Sequence, residues 1–419
     1  FSADEYVEEG LHIEDSKEIA RALEEYGANA LHVSAGIGAV GHITHPSYYT
    51  PEGVFVPLAS AIKSVVRIPV ITVGRIRTPD LANQIIKENK ADFVAMGRAL
   101  IADPELPRKA EEGREDQIRP CISCNRCVLN IRKGAVQCAV NPEAGREELF
   151  KLGKTEKPQK VWVIGGGPAG LKAAEIAACR GHRVALFEKK NELGGQFLLA
   201  AIPPYKEILN DFTKHLINET EKLPIEFHLG KSFDEKCMVK EKPDVIIIAT
   251  GSKPYFPPIE GSENAGLIAP QDALSQPDQL GKNVLIVGGG GIGAEVADFL
   301  SEKGKGVTLV EMREGIALDL VLHLQHFLNK RLKEKNVRVL TSTKVLRFIQ
   351  SGVWVEDSTG TKELGGFDSM VMAIGAKPDN DLSRSLKAKV DRMYVIGDAS
   401  QPREVLEALL EAEEVAHKI

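Results

Sequence analysis

The sequence predicts an α/β protein assembled from parallel-sheet units. Strand-like and helix-like runs alternate through the first 120 residues, and a glycine-rich turn sits between a strand and a helix at Gly165. A weaker copy of that strand–turn–helix unit returns at Gly288, about 120 residues further on. Strands alternating with helices at this spacing make right-handed βα units and a parallel sheet. The 419 residues leave room for two to four domains at roughly 100–200 residues each.

In the first segment, DSKEIARALEEYG places Ile19, Ala22 and Leu23 on one helical face, and NALHVSAG follows as an apolar strand. VPLASAIKSVV is the next helix and IPVITVGR the next strand. TPDLANQIIKENK opens with Thr78 as N-cap and Pro79 at the first helical position, and DFVAMGR closes the series. Three strands result, with Phe1 and Ser2 as the end of a fourth. Three βα units cannot close a barrel, so this segment reads as part of a larger fold.

CISCNRCVLNIRKGAVQC comes next, with four of the chain's six cysteines in the spacing C-x2-C-x2-C-x10-C: Cys121, Cys124, Cys127 and Cys138. Three thiols two residues apart on a tight loop, with a fourth from further along, suit the corners of a [4Fe–4S] cubane. Zinc is the alternative, although its sites more often use two separated pairs. Inert thiols are the third reading, and a disulfide would leave the even triplet unexplained. Cys179 and Cys237 read as ordinary packing or surface residues.

EELFKLGKTEKPQK is a polar, lysine-rich linker. Beyond it, Gly165, Gly167 and Gly170 form GxGxxG directly after VWVI and before a helix. The first glycine permits the turn, the second lets backbone approach a pyrophosphate, and the third lets helix and strand pack closely. Glu188 ends the following strand, where a carboxylate accepts from a ribose hydroxyl. The second copy offers Gly288, Gly290 and Gly293, with Glu311 at the matching strand end. A carboxylate there repels a 2′-phosphate, which favours NADH over NADPH; Arg313 two residues on would soften that preference. The two units read as nucleotide-binding domains, the second inserted in the first.

Bulk properties bound the function. The composition, 43% hydrophobic and 27% charged, is that of a globular chain, and a net charge of −6 without a basic face argues against nucleic acid as partner. The longest apolar run, DVIIIATG, is a strand and falls short of the ~20 residues of a membrane span. FSADEYVEEG has no export pattern. Few, clustered cysteines point to the cytoplasm.

The paired turns, with ELGGQF, the strand-end ATG at 249–251 and YVIGDAS at 394–400, resemble the two-dinucleotide module of flavoprotein disulfide reductases. That resemblance implies FAD in the first fold and NAD(P)H in the second. It places Pro168 and Ala169 in the FAD turn, Gly194, Gly195, Gln196, Thr250 and Gly251 around the flavin, and Asp398 on its ribityl chain. VITVGRI, FVAMGRALIADPEL and RPCISCNRC in turn resemble the last strands and exit of the old-yellow-enzyme barrel.

Taken whole, the sequence resembles the multidomain NADH:flavin oxidoreductases, the group of 2,4-dienoyl-CoA reductase, 2-enoate reductase and trimethylamine dehydrogenase. The implied architecture is the C-terminal part of a TIM barrel over 1–118 and a [4Fe–4S] segment over 119–145. A linker over 146–159 leads to an FAD domain over 160–282 and 376–419, with an NAD(P)H domain over 283–375 nested inside it. Gly74/Arg75 and Gly97/Arg98 would surround an FMN phosphate, at the loops after the last two barrel strands where such sites lie.

The resemblance implies NAD(P)H-dependent reduction of an activated C=C bond in an enoate, enoyl-CoA or dienoyl-CoA substrate, through FAD, the cluster and FMN. The alternatives are an amine dehydrogenase or an electron-transfer subunit feeding a partner chain; a homo-oligomer is compatible with each. The middle cysteine spacing follows the trimethylamine dehydrogenase branch. The barrel's first five strands, which carry the proton-donating tyrosine of the ene-reductase branch, are not in this sequence. Within GIGAVGHITHPSYYTPEG, on the side where barrel active-site loops sit, His42 and His45 are candidate proton donors and Tyr48 or Tyr49 candidate cavity walls.

Overall fold

Apolar runs too short to bury themselves alone pair in parallel, and the computed structural model shows how. It describes residues 1–419 except 132–133, 237, 239–240 and 388, so Cys237 lies outside the described residues. The chain divides into two compact units: Phe1–Gly145 with Val321–Leu324, and the remainder.

In the first unit, strands Leu31–Val33, Val70–Thr72 and Phe93–Val94 form a parallel sheet in that order. At Phe1 and Ser2, where the sequence predicts the end of a fourth strand, there is an isolated bridge: Ser2 bridges Ser34 in parallel, and Ala3 N–H donates to Ser34 O at 2.8 Å. Helices Ile13–Glu25, Val56–Lys63 and Pro79–Lys87 intervene. Thr78 caps the last of them, its Oγ1 accepting from Leu81 N–H at 3.3 Å with Pro79 in the first turn. The first helix corrects one sequence expectation. Ser16 and Ala20 are its buried residues, whereas Leu23 is 36% exposed. Two small residues at i and i+4 let this helix lie close to Leu31, Val33, Ala59 and Ile62, so the buried stripe is narrower than apolar periodicity suggests.

The second unit holds two parallel sheets. One has the order Met393–Val395, Val245–Ile248, Lys160–Ile164, Arg183–Glu188, Ile225–Leu229. Its second strand, Val245–Ile248, is completely buried, each isoleucine contributing about 1.5–3 kcal/mol. The other sheet has the order Arg338–Leu340, Gly306–Val310, Asn283–Val287, Ser369–Met372. An antiparallel meander over Lys344–Ile349, Gly352–Asp357 and Gly360–Gly365 contributes Val345, Phe348, Val353 and Val355 to the same core as Leu285 and Val310.

The second fold is nested in the first. The chain leaves the first fold along Ser252–Pro254 and returns along Ala376–Pro378, and these two segments pair antiparallel. Helix Pro168–Cys179 and the final helix Val405–Lys418 are joined by a buried ion pair, Lys172 Nζ to Glu413 Oε1 at 3.1 Å. No helix among the described residues is long and apolar enough to cross a membrane.

Candidate functional site

Each parallel strand ends at a loop, and in the first unit two consecutive strand ends carry a glycine–arginine pair. Gly74 and Arg75 follow Val70–Thr72, and Gly97 and Arg98 follow Phe93–Val94. Gly74 has φ 117°, and a Cβ there would lie 2.6 Å from the Phe55 ring. Arg75 itself is left-handed at φ 51°, a conformation that costs a non-glycine residue energy and needs outside contacts to hold it. Those contacts are hydrogen bonds from Nη1 to Thr50 O and from Nε to Ser123 Oγ, the latter at 3.3 Å. Arg98 Nη1 donates to Pro46 O at 2.7 Å and to Asn125 Oδ1.

Both pairs line one cavity of about 190 Å³, together with His45, Arg77, Cys121 and Ser123. Burial lowers the Arg75 pKa; Glu52 opposes that, and the charges of Arg77 and Arg98 add to it. Three guanidiniums close enough to repel make a positive pocket suited to an anion. His45 lines this cavity with its Nδ1 2.9 Å from Thr44 Oγ1. Its ring stacks on His323, 5.4 Å between centroids and 6° between planes. His42, Tyr48 and Tyr49 lie outside that lining, the tyrosine rings packed 4.8 Å apart in the interior.

The cysteine segment forms another wall of the same cavity. Cys121, Cys124, Cys127 and Cys138 are free thiols, Cys127 and Cys138 buried. Ser123 at φ 51° and Asn125 at φ 59° flank Cys124 and curl the loop. Ser123 N–H donates to Cys121 Sγ at 3.4 Å. Burial holds the Cys124 thiol well above its usual range and pushes Cys138 up to about 12; in each case neighbouring thiols of the set raise it further. Among the described residues, no group of three or more His, Cys, Asp or Glu is gathered to hold a metal ion. Cys179 is the last residue of helix Pro168–Cys179 in the second unit.

In the second unit the two glycine turns have parallel geometry. A Cβ on Gly170 would sit 1.8 Å from Gly165 O, and one on Gly293 would sit 1.9 Å from Gly288 O, so only glycine lets either helix meet its strand. Glu188 Oε2 accepts from Gly166 N–H at 2.7 Å, and Glu311 Oε2 accepts from Gly289 N–H at 2.6 Å. Arg313 Nε lies 3.2 Å from Glu311 Oε1, so the guanidinium is drawn onto that carboxylate.

Around the first turn the structure gathers segments distant in sequence. Gly195 packs against Gly167, where a Cβ would lie 2.8 Å from the Gly167 Cα. Gln196 Nε2 donates to Ser252 O at 2.8 Å, and Ser252 Oγ donates to Asp398 Oδ2 at 3.1 Å. Gly397 lies against Ala169 at the start of the helix behind Pro168, and Thr250 Oγ1 bonds Asp379 O beside Gly251. These groups follow the carboxyl ends of the parallel strands, where ligands bind in open α/β sheets.

The second turn differs at one point. Where the first has Pro168, without an N–H, the second has Gly291, whose N–H donates to both Asp319 oxygens at 2.9 and 3.1 Å. Between Gly288 and Gly293, Gly290 stays open to the Asp319 and Arg313 side chains. Asp319, Ser123, Asn125 and Ser252 were not legible as site residues, since each acts through a contact remote in sequence. A serine and an asparagine in a left-handed loop have only the weak signal that asparagine tolerates that conformation.

Comparison with known proteins adds the family. The NADH:flavin oxidoreductase / NADH oxidase family matches residues 1–117, and the pyridine nucleotide-disulphide oxidoreductase family matches residues 159–408. NADH oxidase of Thermoanaerobacter brockii is 41% identical over 432 residues, covering 100% of this chain and 66% of that protein. Cinnamate reductase of Clostridium sporogenes is 34% identical over 421 residues, covering 99% of this chain and 63% of its own. The solved structure of 2-naphthoyl-CoA reductase with 2-naphthoyl-CoA superposes with a TM-score of 0.95 at 28% identity, covering 100% of this chain and 64% of that one. The chain thus spans just under two thirds of the length of these relatives. With its arginine-lined barrel fragment and paired glycine turns, the chain belongs to the NADH:flavin oxidoreductase family, joined to a pyridine nucleotide-disulphide oxidoreductase module.

Proposed function

We infer that this chain carries the electron-transfer part of an NADH-dependent reductase acting on an activated C=C bond in an enoate, enoyl-CoA or dienoyl-CoA substrate. In this reading the fold over 283–375 takes NADH, and that over 160–282 with 376–419 takes FAD. Residues 119–145 take a [4Fe–4S] cluster, and the cavity within 1–118 takes the phosphate of FMN. Bound there, these groups supply the conversion of a hydride into single electrons and back that such a reduction requires. The cytoplasm is the compartment that keeps the thiols reduced.

One observation carries the reading: the cavity walled by Arg75 and Arg98 is also walled by Cys121 and Ser123. A pocket suited to an anion and the first of the four cysteines thus share a boundary. A cubane takes one sulfur at each of four corners, and the C-x2-C-x2-C-x10-C spacing of Cys121, Cys124, Cys127 and Cys138 suits it. Ser123 N–H on Cys121 Sγ is the kind of backbone contact that sets a cluster's potential. In the second unit, Gly170 and Gly293 admit close backbone approach, and Glu311, held at the turn by Gly289 N–H, would accept from a ribose hydroxyl and repel a 2′-phosphate. The relatives named cinnamate reductase and 2-naphthoyl-CoA reductase support a conjugated acyl substrate.

The test is anaerobic purification with iron, sulfide, zinc and flavin analysis, followed by NADH titration. Brown protein with flavin bands bleached by NADH is expected. Colourless protein with stoichiometric zinc would falsify the relay.

A further inference from the structure

The same two arginines that line the anion cavity also hold the cysteine loop. Ser123 and Asn125, on either side of Cys124, are both left-handed and both buried, 3% and 1% exposed. Serine has no preference for that conformation and asparagine only a tolerance, so the loop needs contacts from outside itself. Each residue receives one from a different arginine: Arg75 Nε donates to Ser123 Oγ, and Arg98 Nη1 donates to Asn125 Oδ1. The Asn125 amide is further engaged through Nδ2, which donates to His45 O at 2.7 Å.

Resting on the reading of this cavity as a phosphate seat, we propose that Arg75 and Arg98 are positioning residues for the cysteine loop, each gripping one of its two left-handed residues. The set of the four thiols is thereby coupled to occupancy of the anion cavity. An anion drawn between the guanidiniums fixes their rotamers and so stiffens the loop. A loop already set by its thiols presents the arginines to the anion, and the coupling is reciprocal by linkage. Arg98→Lys tests grip against charge, because lysine keeps the charge and loses the planar fork.

The experiment uses the full chain, reduced and anaerobic, before any cluster is reconstituted, with inorganic phosphate as probe. N-ethylmaleimide labelling of Cys121, Cys124, Cys127 and Cys138 is followed by mass spectrometry in the wild type, Ser123→Ala, Asn125→Ala and Arg98→Lys, and phosphate binding is measured by calorimetry. Phosphate should slow labelling of the wild type about fivefold, the lower end of ordinary site-to-site coupling. All three variants should label faster, with the phosphate effect lost in Arg98→Lys and Asn125→Ala. Iron retained after reconstitution should fall in all three.

Wild-type labelling rates in every variant, with phosphate bound normally, overturn the positioning role and leave the phosphate seat standing. Phosphate bound by none of the proteins overturns the seat and the coupling together. Should Asn125→Ala fail to fold by circular dichroism, Arg98→Lys and Ser123→Ala, which removes a single hydroxyl, decide between them.

Discussion

Replacing Gly170 by alanine puts a Cβ 1.8 Å from Gly165 O, whereas ordinary contact begins at 3.4 Å. The N-terminus of helix Pro168–Cys179 must therefore retreat by about 1.6 Å, the difference of those two distances. Gly165 O is backbone at a strand end and cannot rotate away. The retreat disturbs Leu171, Ala173, Ala174 and Ala177, all completely buried. Overpacking of this kind costs about 1–3 kcal/mol, more where backbone must move. At ~3 kcal/mol, retained as lost pyrophosphate contact, FAD binds about 150-fold more weakly. Gly293→Ala makes the same clash, 1.9 Å from Gly288 O, in the other fold. It should weaken NADH while leaving FAD in place, and the two variants thus separate the two seats. FAD content after gel filtration and NADH affinity by titration read them out. Gly153→Ala, whose Cβ meets nothing within 4 Å, is the neutral control. A Gly170→Ala protein with full FAD and an unchanged Tm would refute the close-approach argument.

Asp319→Ala frees Gly291 N–H from a carboxylate that occupies the pyrophosphate side of the second turn. Because Asp319 is exposed, the contact is worth about 0.5–1 kcal/mol, and ADP-ribose should bind two- to fivefold tighter by calorimetry; weaker binding would mean the carboxylate helps the ligand. Glu311→Gln removes the charge opposed to a 2′-phosphate and should lower the NADH-to-NADPH ratio of kcat/KM about tenfold, or ~1.4 kcal/mol. An unchanged ratio would place cofactor choice elsewhere. His182 is buried and its pKa is lowered, first by desolvation and then by Arg180. The unfolded chain takes up its proton near pH ~6.5 while the folded chain resists, so stability is full above that pH and falls below it. Thermal melts from pH 7.5 to 5.5 should show this fall, and His182→Gln should flatten it; an equally steep fall in the variant would assign the acid sensitivity to other groups.

What the sequence made legible is local. The turn GGGPAG is recognisable because strand, glycines and helix are contiguous, and Thr78-Pro79 announces a helix within two residues. The four cysteines and the glycine–arginine pairs are likewise visible as spacing. Their meeting in one cavity is not, because Arg75 and Ser123 lie 48 positions apart and Arg98 and Asn125 lie 27 apart. Ser252 and Asp398 are separated by 146. The first helix shows the other limit: periodicity marked Ile19, Ala22 and Leu23, but the stripe that packs is Ser16 and Ala20. Close approach of small residues is decided by the neighbour, which no single-helix pattern contains.

The paired segments at the mouth of the nested fold have a consequence for its independence. Pro254 faces Ala376 and Ser252 faces Pro378, so the inserted chain enters and exits side by side, a strand spacing of about 4.8 Å apart. Just outside, Asp379 N–H already donates to Gly251 O at 2.9 Å. The guest could be excised and the host resealed across that seam with a minimal splice. Fusion of foreign domains at the same doorway should disturb the flavin-side sheet little, since the host's edges are held together whatever hangs beyond them.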